Sequence, residues 1–158
     1  MSNQKVQPTF IADCHLGKLA KYLRLMGFDT LFFPQIDDDD LVLMAKKEDR
    51  VIITRDRELS QRKNASVFYL KPIDLKEQLL TMVEAFDLHD YKAPFSRCIV
   101  CNTLLEEVDK ERIIDRLPEK VKHFFTYFEH CRTCDRIYWH GDHYRHMKQL
   151  LETILTPH

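Results

Sequence analysis

The 158-residue chain has no long hydrophobic run, no excess of charge of either sign and no even set of cysteines. Each absence removes a class of protein. No segment approaches the roughly 18 apolar residues a bilayer span needs, and the polar start Met1-Ser2-Asn3-Gln4-Lys5 lacks the apolar core of a secretory signal. A cytoplasmic protein with no membrane partner is the expectation. The 24 Lys and Arg balance 25 Asp and Glu, which excludes the global basic field of a protein that binds nucleic acid by bulk charge. The balance holds on either side of Tyr91, with 13 basic and 15 acidic residues before it and 11 and 10 from it onward, so any nucleic-acid contact must rest on local patches. Five cysteines, an odd number without an export signal, argue against a disulfide framework and towards reduced thiols or metal ligands. Repeats are absent, and the one biased segment is the run Asp37 to Asp40. What remains, 44% hydrophobic and 31% charged, is the ordinary balance of a chain that buries a core as one or two small domains.

Short apolar runs alternate with helix-patterned segments from Thr9 to about Phe86. Thr9 to Ala12, Thr30 to Phe33, Val51 to Thr54 and Val67 to Leu70 have strand character. Between them lie helical patterns over Leu16 to Met26, stopped by Gly27, over Asp38 to Glu48 and over Asp56 to Lys63, with another opening at Pro72-Ile73-Asp74 and running to Phe86. Strands and helices at this spacing predict βαβ units: an α/β domain over about residues 8–90, with a parallel sheet covered on both faces. Residues 87–97 have the composition of a linker, and a smaller module with a C-terminal helix from Asp142 is expected over about 91–158.

Open α/β sheets bind ligands at the carboxyl ends of their strands, and acids stand at three such ends. Asp13 follows the first strand, the run Asp37 to Asp40 opens the helix after the second, and Asp56 follows the third. Carboxylates gathered without compensation repel. Mg2+ or Mn2+ removes the conflict, takes oxygen ligands and shares them with phosphate, which is nuclease or phosphatase chemistry. The competing reading is that Asp at a helix start is an N-cap, which accounts for Asp56 and one member of the run. Arg55, Lys21 and Lys18 supply a cationic rim for a phosphate, or else a structural ion pair and a solvated helix face. His15 could shuttle protons or stand there incidentally, and Cys14 is left over as a thiol without a role.

Cys98-x-x-Cys101 and Cys131-x-x-Cys134 are two knuckle-like pairs, and four thiolates suit tetrahedral Zn2+ with no open position. The alternatives are a redox pair, for which no thioredoxin-like unit is visible, and an iron-sulfur cluster. Between the pairs a helix is expected after Pro118, with Phe124, Phe125 and Phe128 packing inward, and so few apolar residues near the cysteines make folding metal-dependent. The segment Tyr138 to His146, with Arg132, Arg136 and Arg145, has the composition of a single-stranded nucleic-acid platform, while Trp139 is better suited to packing.

The stretches "FIADCHLGKLAKYLRLMGFDT", "DDDDLVLMAKKEDRVIITRDREL", "RCIVCNTLL" and "CRTCDRIYWHGDHYRHM" together resemble the Mut-seven C-terminal RNase family, a branch of PIN-like nucleases fused to a zinc ribbon, over about Thr9 to Met147. The resemblance implies a PIN-like three-layer fold with a central parallel sheet and a zinc-ribbon module after it. It implies a ribonuclease whose acids bind Mg2+ or Mn2+ and whose partner is single-stranded or structured RNA. Asp13 matches the acid after the first strand, and Asp56 the acid of the Thr-Arg-Asp motif. An Asp seven residues before the helix Ala is Asp38 if that Ala is Ala45, with Asp39 and Asp40 as alternatives. Arg24 resembles the Arg of the family's Leu-Arg-x-x-Gly stretch and joins Arg55 and Lys21 as a substrate contact. A fourth acid common in PIN nucleases has no counterpart here. The rival function is a non-catalytic RNA-binding or ribonucleoprotein assembly module with a degenerate site.

Overall fold

The computed structural model describes residues 6–91 and 93–156. The chain forms two compact units, residues 1–102 and 103–158.

The first unit is built on four parallel strands: β1 (Phe10–Ala12), β2 (Thr30–Phe32), β3 (Val51–Thr54) and β4 (Val67–Tyr69), in the order β2-β1-β3-β4. The register pairs Ala12 with Phe32 and with Ile53, and Thr54 with Tyr69, so the carboxyl ends of all four strands lie along one edge. Successive side chains of a strand point to opposite faces, and both faces here are apolar. On one, Ile11 and Ile52 pack with Leu41, Val42 and Ala45 of α2 (Asp38–Glu48) and with Leu59 of α3 (Arg57–Ser60). On the other, Phe10 and Phe68 meet the ring of Phe86, which ends α4 (Leu75–Phe86), edge-on at 5.0 and 5.2 Å; α1 (Gly17–Leu25) packs beside α4. The result is the expected α/β sandwich of three layers around a parallel sheet.

Three of these four helices open on an aspartate whose side chain accepts main-chain N–H groups: Asp37 from Asp40, Asp56 from Glu58 and Leu59, and Asp74 from Glu77. Helix α1 opens on Leu16 with no side-chain cap and ends at Gly27. Gly27 has φ +100, and a Cβ there would stand 2.4 Å from the carbonyl oxygen of Ala93, so no other residue fits this turn without strain. The segment expected to be a linker is tied down: Ala93 and Phe95 donate their N–H groups to Met26 O and Leu25 O at 3.0 and 2.7 Å.

The second unit carries an antiparallel sheet of β5 (Glu106–Val108), β6 (Phe128–His130) and β7 (Ile137–Tyr138) in that order, with α5 (Lys110–Ile113) and α6 (Glu119–Phe124) between β5 and β6. Its core is Ile113, Leu117, Val121 and Phe128, with Val108, Phe125, Ile137 and Trp139 packed against it. Trp139 meets Phe128 edge-on at 6.4 Å. Phe128 is fully buried and Phe125 packs against the core, but Phe124, the last residue of α6, is 78% exposed. The chain closes with α7 (Asp142–Leu155), which buries Met147, Leu151 and Ile154 at helical spacing.

Candidate metal centres

The carboxyl edge of the parallel sheet collects the three acids. Asp13 leaves β1 with its N–H bonded to Ile53 O at 2.9 Å, and its carboxylate is nine-tenths buried. One oxygen, Oδ1, accepts the N–H of Cys14 at 2.7 Å. The other, Oδ2, accepts the hydroxyl proton of Thr54, the last residue of β3, at 2.8 Å. The same Thr54 oxygen accepts the N–H of Asp56 at 2.9 Å. Fully buried, Thr54 therefore ties the acid after β1 to the turn that presents the acid after β3. Its place after the third strand marks Asp56 in the sequence; the part played by Thr54 needs the pairing of β1 with β3 to be seen.

Asp56 is exposed and caps α3, with Oδ1 accepting from Glu58 N at 2.8 Å and Leu59 N at 3.3 Å. The capping reading of this residue is thus correct for one of its oxygens. In the acidic run each member has a separate placement. Asp37 is the N-cap of α2, accepting from Asp40 N at 2.9 Å. Asp39, 85% exposed, pairs with Arg62 at 3.0 Å. Asp40 is fully exposed, and Asp37 beside it raises its carboxyl above the usual range. Asp38 is the member that faces the other acids: partial burial, and then the charges of Asp13 and Asp56, push its carboxyl up. Burial and the neighbouring Asp13 likewise raise the Cys14 thiol, which keeps it protonated and unreactive at neutral pH. A carboxyl pushed up by the charges of two neighbouring acids marks an oxygen donor set that a hard divalent cation fits.

Of the basic residues expected at the substrate, Arg55 is exposed and donates to Lys71 O at 3.4 Å, and Lys21 is half-buried on α1. Arg24 lies elsewhere. It is 94% buried, by an exposure of 6%, and its guanidinium donates to Thr30 O at 2.8 Å, Ile99 O at 3.1 Å and Val100 O at 3.0 Å. Its fork holds the backbone between Cys98 and Cys101, so the expected contact with substrate is replaced by a structural one. Asn102 completes the attachment, accepting Thr30 N–H at 3.0 Å and donating to Asp29 Oδ1 at 2.6 Å. Burial alone would raise the Asp29 carboxyl, but the hydrogen bonds from Arg50 and Asn102 outweigh it and hold it low.

The two cysteine pairs share one turn geometry. Asn102 and Asp135, each the residue after the second cysteine, have φ of 75 and 63. Each donates its N–H back to the carbonyl of the first cysteine, Cys98 O at 2.9 Å and Cys131 O at 2.8 Å. Asn and Asp are the residues other than Gly that tolerate this left-handed region best. Asp135 is further held by His130 at 2.6 Å and Arg116 at 3.1 Å. The Sγ atoms of Cys98, Cys101, Cys131 and Cys134 all lie within 4.8 Å of one another, and Cys98 and Cys131 are fully buried. Sulfurs around a tetrahedral zinc stand about 3.8 Å apart, so the donor set and its spacing fit that ion. Among the described residues no trio of carboxylates is gathered as tightly.

No helix among the described residues is long and apolar enough to cross a membrane. No curated protein and no solved structure matches the chain. The family model of the Mut7-C RNAse domain matches residues 8–151, which takes in the parallel sheet, its acidic edge and both cysteine pairs. The chain belongs to the Mut7-C RNAse domain family.

Proposed function

We propose that the protein is a metal-dependent ribonuclease that hydrolyses phosphodiester bonds of RNA at the edge formed by Asp13, Asp38 and Asp56, with zinc held by Cys98, Cys101, Cys131 and Cys134 as a structural ion. The observation that carries this reading is the position of Asp38, whose carboxyl is raised by partial burial and by the charges of Asp13 and Asp56. Family membership supports the reaction class. An edge that assembles mutually repelling carboxylates costs stability unless a cation is shared among them. Mg2+ or Mn2+ bound there supplies charge neutralisation and Lewis-acid stabilisation of the phosphate. The chain's own residues do the positioning. Thr54 fixes the rotamer of Asp13, α3 fixes one oxygen of Asp56, and the start of α2 presents Asp38. Lys21 and Arg55 meet the negative charge of the RNA backbone, and Arg132, Arg136 and Arg145 are the cations that the second unit offers to RNA. The rival reading, an RNA-binding module without catalysis, draws on the capping bonds that already occupy Asp56 Oδ1.

Purified zinc-loaded protein, offered labelled single-stranded RNA with Mg2+, with Mn2+ or with neither, decides between them. Cleavage that requires the metal and is lost in Asp13→Asn and Asp56→Asn is the expected result. Cleavage that survives both substitutions is a contaminant's, and RNA binding without any cleavage selects the rival.

A further inference from the structure

Beside the acidic edge the first unit has an open cleft of about 560 Å3 that the proposed chemistry does not use. Its two walls differ in character. One is the start of α1 and the residues before it, where His15, two residues beyond Asp13, and Lys18 are both exposed. The other is the entry to α4, where Ile73 is 80% exposed and Asp74 caps the helix by accepting from Glu77 N at 3.3 Å. Ile73 is not on a loose loop. Gln78, buried at 6% exposure, reaches back from α4 and donates its amide protons to Pro72 O at 3.0 Å and Ile73 O at 3.4 Å. An exposed β-branched side chain thus projects from a backbone pinned at the rim of a cleft.

We propose that this cleft is a nucleotide subsite of the RNA substrate, holding the residue next to the phosphodiester that is cut. The inference rests on the ribonuclease reading of the acidic edge and extends it to the way the strand is held. A cationic wall matches a phosphate, and an apolar residue on a rigid turn matches the face of a base or sugar. The volume lies in the range of sites that take small ligands and accommodates one nucleotide. Both walls follow the carboxyl ends of strands, α1 after β1 and α4 after β4, and His15 is two residues beyond Asp13, so the cleft lies along the same edge of the sheet as that acid. In this arrangement Lys18 pairs with the phosphate that flanks the scissile one, His15 lies along the same wall, and Ile73 packs on the nucleoside. The negative charge of Asp74 stands on the opposite wall from the phosphate and is engaged by its helix.

The test uses the zinc-loaded protein and a fluorescein-labelled single-stranded oligoribonucleotide, with anisotropy without added Mg2+ or Mn2+ to read binding and Mg2+ to read cleavage. Lys18→Gln and Ile73→Ser are both at exposed positions, and thermal melts confirm that each variant folds. Each should raise the dissociation constant by about fivefold and raise KM more than it lowers kcat. Lys18→Gln should also flatten the salt dependence by about 0.7 in the log-log slope, the signature of one lost contact with a single-stranded backbone. Binding and KM unmoved by both variants, with cleavage still abolished by Asp13→Asn, would overturn the subsite and leave the nuclease reading intact. Weakened binding in the variants of a protein that never cleaves leaves the cleft an RNA contact and overturns both the nuclease and the placing of the cleft next to a scissile bond. A wild-type protein that neither binds nor cleaves RNA overturns both.

Discussion

The cysteine cluster and the acidic edge are both donor sets suited to a metal, and they are built in opposite ways. The cysteines come as two copies of one turn, stiffened by the same backward hydrogen bond and packed until the four sulfurs lie within 4.8 Å of one another. The carboxylates come singly from three strand ends, and each has an arrangement of its own: Asp13 is buried and tied to Thr54, Asp38 is half-buried, and Asp56 is exposed and capping a helix. A closed set of soft ligands leaves no position for a substrate and favours folding, whereas a looser, partly wet set of hard ligands leaves room for water and phosphate. The contrast teaches that compactness of a donor set measures how structural an ion is, and openness how reactive.

Removing the cluster should have the largest effect. Structural zinc in small domains contributes roughly 10 kcal/mol of folding free energy, comparable with the whole stability of a domain. Cys131→Ser is expected to abolish stoichiometric zinc by elemental analysis and to give a protein without a cooperative thermal transition. A Cys131→Ser variant that melts like the wild type would end the structural assignment. The acidic edge has a subtler weak point in Thr54. Thr54→Val leaves Asp13 Oδ2 and Asp56 N–H without their shared partner, and the affinity for Mn2+ measured by calorimetry should fall about 10- to 100-fold. Thr54→Ser, which keeps the hydroxyl, should restore most of it.

Arg24 separates the two regions in a different sense, because its place in the sequence puts it near the acids and its side chain serves the cysteine turn. Arg24→Lys keeps the charge but not the planar fork, and it should cost about 2–3 kcal/mol in chemical denaturation through main-chain carbonyls left unpaired. A variant of unchanged stability that bound RNA less tightly would restore the substrate role. The smallest effect is expected at Asp38. Its folded-state pKa is raised, so its ionisation destabilises the metal-free fold at pH above that value, and the penalty vanishes once pH falls below the unfolded pKa. Without added Mg2+ or Mn2+, and with the zinc in place, Asp38→Asn should therefore melt slightly above the wild type at neutral pH, with the difference closing as the solution is acidified. With Mn2+ present the order should reverse, since the wild type alone recovers binding energy from that carboxylate.

Much of this architecture is visible in residue order. The spans of α2 and β3 coincide with their apolar patterns because each is set by periodicity and by a local stop or cap. Helix α3 is shorter than its pattern, four residues rather than eight, because capping by Asp56 starts it but little apolar surface sustains it. The inward packing expected of Phe124 fails for a related reason: three aromatics within five residues cannot all face one core once a helix ends among them and a strand begins.

By itself the sequence determined the alternation of strands and helices, the set of four cysteines and the types of acid available at the strand ends, since these depend on periods and spacings of a few residues. Tertiary structure decided who meets whom. Thr54 reaches Asp13 across 41 residues, Asn102 reaches Asp29 across 73, and Arg24 reaches the cysteine turn across 75 and 76. Hydrogen bonds over such separations depend on strand register and on the docking of loops, which no local pattern encodes. Among four adjacent aspartates, composition is identical and only helix geometry differs. The cap falls to Asp37, the surface ion pair to Asp39, and the place facing Asp13 and Asp56 to Asp38 because a helix turns each successive residue by about 100 degrees.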